Sequence, residues 1–252
     1  MKRLAALAAV CLLAGACGSG DDGGSADRPR LVVSAAASMK EALTACGPDF
    51  EGADVKLSFA GSDELAAQIR QGVKPDVFAA ANTKLPDALH TEGKLGKPVS
   101  FATNALVLAV PADSKLGSLD DIAAPAVKLA IGSESVPIGS YTIEVLGHLP
   151  AAQANAILDN VRSKEPDVKG IVGKLTQGAV DAGFVYRSDV DATKGKAKAI
   201  ALPDRLQPTV VYAAGVVTGA KQPAAAKRFV DGLVSGGCAD ALGRAGFGPA
   251  PK

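Results

Sequence analysis

The chain has 252 residues, with 27 Lys and Arg against 26 Asp and Glu, for a formal net charge of +1. At 48% hydrophobic and 21% charged it reads as a globular chain of one large or two modest domains, without the basic excess of a nucleic-acid or membrane-surface binder. Trp is absent and aromatics make up 4%, which excludes broad stacking platforms for bases or sugars.

Residues 1–17 read as a leader outside the fold. Lys2 and Arg3 form a basic start, and residues 4–14 are an apolar run too short to span a membrane as a mature helix. The run ends in LLAGAC, which resembles a bacterial lipobox with Cys17 as the lipidated residue, although Ala14 stands where Leu is more usual. A plain secretory signal is the alternative, and either implies export. Residues 18–30 then read as a flexible tether of low hydrophobicity. Setting aside Cys11 and Cys17 leaves Cys46 and Cys238, which export places in an oxidising compartment where a bonded pair is expected. Two free thiols in separate places are the alternative. The two cysteines have no metal-binding spacing to His90 or His148, so no metal or cofactor is expected.

Residues 31–34 have strand character and run through three alanines into Ser38, followed by a helical pattern with Met39, Ala42 and Leu43 on one side. Ser38 and Glu41 have the spacing of a capping box. A second strand, 55–59, runs through Ala60 and Gly61 to Ser62 at the N-cap of a helix over 63–71, with Leu65, Ile69 and Val73 as core positions. Residues 76–82 have a buried-strand pattern and 84–92 a helical one. This β-α-β-α-β-α order implies a parallel sheet with helices on both faces.

The pattern then repeats. Strands are expected at 104–110 and 128–132, with a helix start at Ser118 between them; SVPIGSY opens a helix carrying Tyr141, Ile143 and Leu146. Helices follow over 151–160 and 167–177, then strands at 179–186, 200–202 and 209–217. The helix over 223–243 is interrupted at Gly236 and Gly237. The whole reads as an α/β chain of two lobes, each a mainly parallel sheet, with the second (104–204) inserted into the first (31–103 plus 205–252). Open α/β sheets bind ligand outside the carboxyl ends of their strands, so two facing lobes make a cleft.

Seven segments in order resemble the periplasmic molybdate-binding proteins of ABC transporters, members of the two-lobed solute-binding superfamily. They are AAAS (35–38), FAGSDELAAQI (59–69), PDVFAAAN (75–82), SVPIGSY (135–141), DVKG (167–170), AGFVYRSD (182–189) and AGFG (245–248). The resemblance implies the type II periplasmic-binding fold, with the oxyanion held by two serine hydroxyls, two main-chain amides and a tyrosine hydroxyl. Matched motif by motif, these fall on Ser38, Ser62, Ile138, Val168 and Tyr186. Each also has an ordinary structural reading. Ser38 and Ser62 are plain helix caps, Ile138 and Val168 stand at unremarkable helix starts, and Tyr186 is a packing residue at a strand end.

Asp63, directly after Ser62, departs from a donor-only site. It either favours the helix dipole and points away, or accepts a proton from an anion such as hydrogen phosphate. The five proposed groups donate and none accepts, which favours unprotonated dianions: molybdate or tungstate, with sulfate or phosphate as alternatives. An enzyme is the rival from another class, but no G-x-S-x-G elbow appears and the histidines lie in polar or loop-like settings. The resemblance implies a monomer that delivers its anion to a membrane permease and touches the membrane only through a lipid anchor.

Overall fold

The computed structural model describes residues 28–251. The leader with Cys17 and most of the tether lie outside the described residues. Strand β1 (Arg30–Ala36) passes through a 3-10 turn (Ala37–Met39) into α1 (Lys40–Cys46), followed by β2 (Asp54–Ala60), α2 (Ser62–Arg70), β3 (Val77–Ala80), α3 (Lys84–Thr91) and β4 (Val99–Asn104). Next come β5 (Leu106–Pro111), α4 (Leu119–Ile122), β6 (Leu129–Gly132), α5 (Pro137–Gly147) and α6 (Ala151–Asp159). Then β7 (Val161–Glu165), α7 (Val168–Thr176), β8 (Ala182–Tyr186), α8 (Arg187–Asp191) and β9 (Ala197–Ala201) follow. The chain closes with β10 (Val210–Val216), α9 (Pro223–Val234), α10 (Gly237–Arg244) and β11 (Gly248–Pro249).

Among the described residues the strands form two sheets, ordered β11-β4-β10-β3-β1-β2 and β7-β6-β8-β5-β9. Strand β1 pairs parallel with β2 and β3, and β6 pairs parallel with β7 and β8, as strand–helix–strand alternation demands. Both sheets are nonetheless mixed. Strand β10 runs antiparallel to β3 and β4, β11 to β4, and β5 to β8 and β9. Four of these strands flank the crossings between sheets, where β4 passes directly to β5 through Ala105 and β9 returns to β10. A strand that arrives from the other sheet is not turned back by a crossover helix, so its direction is free to reverse.

Strand β3 shows why its sheet is covered on both faces. Val77 and Ala79 join the main core, while Phe78 and Ala80 pack on the opposite face with Leu65, Ile69 and Leu89 of α2 and α3. Val73, expected in that helical core, lies beyond the end of α2 and is 51% exposed. Strands β4 and β7 were not expected from their sequences, VSFATN and VRSKE. β7 is an edge strand with exposed polar positions, and pairing with β6, not its own composition, makes it a strand.

The chain's return is tied to its start. A disulfide joins Cys46 of α1 to Cys238 of α10, with Cα atoms 5.2 Å apart. Buried Asp76 accepts from the N–H of Val32 and of Gln222, both at 2.8 Å, and so links β1 to the start of α9. The rings of Phe50 and Phe229 meet edge-on at 5.3 Å.

Candidate functional site

The carboxyl ends of β1 and β2 in one sheet face those of β6, β7 and β8 in the other across a small cavity. Its walls include Ser38, Gly61, Ser62, Ile138, Val168 and Tyr186, and the space they enclose is far smaller than the pockets that take organic ligands. A compact ion suits it. The structure therefore brings together all five residues singled out by the resemblance, each less than 5% exposed.

The local structure explains how each group is presented. Ser38 lies in the 3-10 turn after β1 and caps no helix, so the capping box with Glu41 does not form. Its Oγ instead lies 3.0 Å from the hydroxyl of Tyr212. Ser62 is the first residue of α2 rather than its N-cap, which is Gly61. The Ser62 Oγ accepts from the Ala81 N–H at 3.1 Å, leaving its own proton to donate into the cavity. With Tyr212 donating to Ser38, Ser38 does the same.

Ile138 is the second residue of α5 and Val168 the first of α7, so neither N–H has an intrahelical acceptor. Gly139 makes the first placement possible. A Cβ there would lie 1.9 Å from the Ser133 carbonyl oxygen, so only glycine lets α5 start this close to the end of β6. At α7, Asp167 caps the helix by accepting from the Gly170 N–H at 3.1 Å, which turns the carboxylate toward the main chain. The N-termini of α2, α5 and α7 thus converge on the cavity, and their dipoles favour negative charge there.

Tyr186 ends β8, and its hydroxyl is buried without a protein partner. Burial, reinforced by Tyr212, Tyr141 and Asp189, pushes that phenol well above its ordinary pKa, so it is a neutral donor at any physiological pH. Its ring also packs edge-on against Tyr212, with centroids 5.9 Å apart, as the packing reading of this residue expects. Among the described residues no Lys or Arg lines the cavity. Asp63 is also absent from its walls: Oδ2 accepts from the Ser135 hydroxyl across the cleft at 2.6 Å.

Tyr212 was missed in the sequence. It sits mid-strand in VVYAAGV, where an aromatic signals ordinary core, and only the pairing of β10 beside β3 brings its hydroxyl under Ser38. Neither histidine reaches the cavity; His90 Nδ1 lies 2.9 Å from the Leu95 carbonyl oxygen. Among the described residues no group of three His, Cys, Asp or Glu side chains is placed to hold a metal.

Residues 31–248 match the family described as bacterial extracellular solute-binding protein. The chain belongs to that family. This solute-binding protein is 35% identical to the molybdate-binding protein ModA of Mycobacterium tuberculosis, covering 96% of this chain and 95% of the relative. It is 32% identical to ModA of Escherichia coli, over 88% and 90% of the two chains. Among solved structures it resembles the periplasmic molybdate-binding protein of Azotobacter vinelandii with a TM-score of 0.78 at 22% identity, covering 88% of this chain and all of the other. It also resembles the sulfate-binding protein SubI of Mycobacterium tuberculosis, with a TM-score of 0.76 at 17% identity over 88% and 87%. At those identities the likeness shows the fold alone: two lobes, each a sheet flanked by helices.

Proposed function

We propose that this protein captures molybdate, and tungstate besides, between its lobes and hands it to the permease of an ABC importer. The observation that carries the reading is a small cavity walled by five donors from both sheets and by no cation, in a chain 35% identical to a molybdate-binding protein. In this reading the Ser38, Ser62 and Tyr186 hydroxyls and the Ile138 and Val168 amides each donate to the oxyanion. Charge-assisted hydrogen bonds contribute about 1.5–3 kcal/mol each. These five offset the desolvation of a dianion and leave the roughly 8 kcal/mol of micromolar binding without a lysine or arginine.

The lobes are taken as 31–103 plus 205–252 and 104–204, closing on the ligand because only the closed state makes both sets of contacts. Lipidation at Cys17 would hold a monomer at the outer face of the cell membrane, with the residues between Cys17 and Arg28 as the tether. No catalytic role is assigned, since a serine here has no histidine beside it to serve as base.

Calorimetric titration and thermal shift against molybdate, tungstate, sulfate and phosphate test the reading. Molybdate and tungstate should bind at micromolar concentration or tighter and raise the Tm most, by mass action on the folded state. Strongest stabilisation by phosphate would mean that a carboxylate accepts the ligand's proton, and would end the molybdate reading. The sulfate-binding neighbour makes this panel necessary, because the same fold serves a different anion there.

A further inference from the structure

Three charged side chains lie behind the donor groups and join the two halves of the molecule. The Lys169 ammonium lies 2.7 Å from Glu41 Oε2 and 3.0 Å from Asp189 Oδ1. Glu41 belongs to α1, beside the six-stranded sheet, whereas Lys169 on α7 and Asp189 on α8 belong to the other half. The positions are keyed to the cavity. Glu41 follows Ser38 by three residues, Lys169 follows Val168 by one, and Asp189 follows Tyr186 by three. One ammonium therefore connects three of the five donor-bearing segments. On the other side of the cavity the Asp63–Ser135 bond joins the segments of Ser62 and Ile138 in the same way.

The three members are not equivalent. The Asp189 side chain is fully buried and that of Lys169 is 23% exposed, so this pair is a fixed part of its own half. Burial works against the lysine's charge, but Asp189 and Glu41 more than restore it, so Lys169 is held protonated. Glu41 is half exposed at 48% and stands on the opposite wall of the cleft. Its bond to Lys169 is the member that breaks if the halves separate.

We infer that Lys169, seated on Asp189, is a closing latch of the anion cleft, and that its ion pair with Glu41 holds the Val168 amide against the bound oxyanion. This rests on the binding reading above. In the open state Glu41 is hydrated and Lys169 keeps Asp189, so the latch acts on the lifetime of the closed state and not on the encounter with the anion. Its strength exceeds that of an exposed pair, because Lys169 is mostly withdrawn from water and less screened.

Glu41→Gln tests it, since the change removes the charge and keeps the shape at a residue outside the cavity wall. Stopped-flow measurement should show molybdate dissociating about three- to tenfold faster, with the association rate within twofold of wild type. Glu41→Asp should recover part of the loss, and about 0.5 M salt should shrink the difference. The ligand-free Tm should not move. A dissociation rate within twofold of wild type, or a loss carried by association, overturns the latch. If wild-type protein binds no molybdate, the binding reading fails separately. The latch is then read by the same ratio of dissociation rates on whichever of tungstate, sulfate or phosphate binds; a ratio under two, or binding of none of them, overturns it.

Discussion

Replacing Gly61 by Ala should weaken anion binding while leaving each half folded. Gly61 precedes α2 with φ −59° and ψ 139°, a conformation that alanine adopts without strain. The obstacle lies across the cleft. A Cβ at position 61 would stand 2.4 Å from the Pro166 carbonyl oxygen and 3.4 Å from Val136 Cγ2, both in the other half of the molecule. It would also crowd Asp63 Oδ1 at 2.8 Å, but that side chain can swing away, whereas the Pro166 carbonyl is main chain. Ordinary contact begins near 3.4 Å, so the walls must part by about 1 Å at this point. Overpacking of this kind costs about 1–3 kcal/mol, and it is felt only where the walls close. Titration with molybdate should therefore show affinity reduced about five- to 150-fold. Denaturant unfolding of the ligand-free protein should fall by no more than about 1 kcal/mol, the N-cap preference for Gly over Ala. Wild-type affinity in Gly61→Ala would refute the argument that the Gly61–Pro166 approach belongs to the binding-competent state.

Other outcomes follow from the same geometry. Tyr186→Phe removes a buried hydroxyl that has no protein partner, so it should cost about 1.5–3 kcal/mol of molybdate binding by calorimetry and leave the fold intact; unchanged affinity would leave Tyr186 a packing residue. Replacing both Cys46 and Cys238 by serine opens a link between residues 192 apart, which the chain-entropy model values at up to about 5 kcal/mol. Denaturant unfolding should register most of that loss, with molybdate affinity nearly unchanged because both cysteines lie in one half; a loss under about 1 kcal/mol would contradict the entropic account. Burial, opposed by Lys169 and the Tyr186 main chain and assisted by Glu41, raises the Asp189 carboxyl to about 6. A raised carboxyl contributes stability below about pH 4, where it is protonated in both states, and loses it as pH rises through about 6. Asp189→Asn should therefore make the slope of unfolding free energy against pH more positive between about pH 4 and 6, and an unaltered slope would refute the assignment.

Much of this protein was legible in one dimension because the information is local. Strand-to-helix transitions through small residues, as at Ala35–Ser38 and Gly61–Ser62, require only hydrophobic period and chain flexibility, and they located the carboxyl ends of strands where ligands collect. The motif order pointed to five donors that come to one cavity, and the cysteine count paired Cys46 with Cys238. Tertiary structure decided what depends on neighbours far along the chain. VRSKE becomes a strand only because β6 offers it a partner, and β5 and β10 reverse direction because they cross between sheets. Ser38 has a local capping partner in Glu41, yet its hydroxyl meets Tyr212, 174 residues away, while Glu41 crosses the cleft to Lys169. Sequence spacing fixes which groups stand on one turn of a helix; it carries no information about which wall that turn will face, and hydrogen bonds and charges follow the wall.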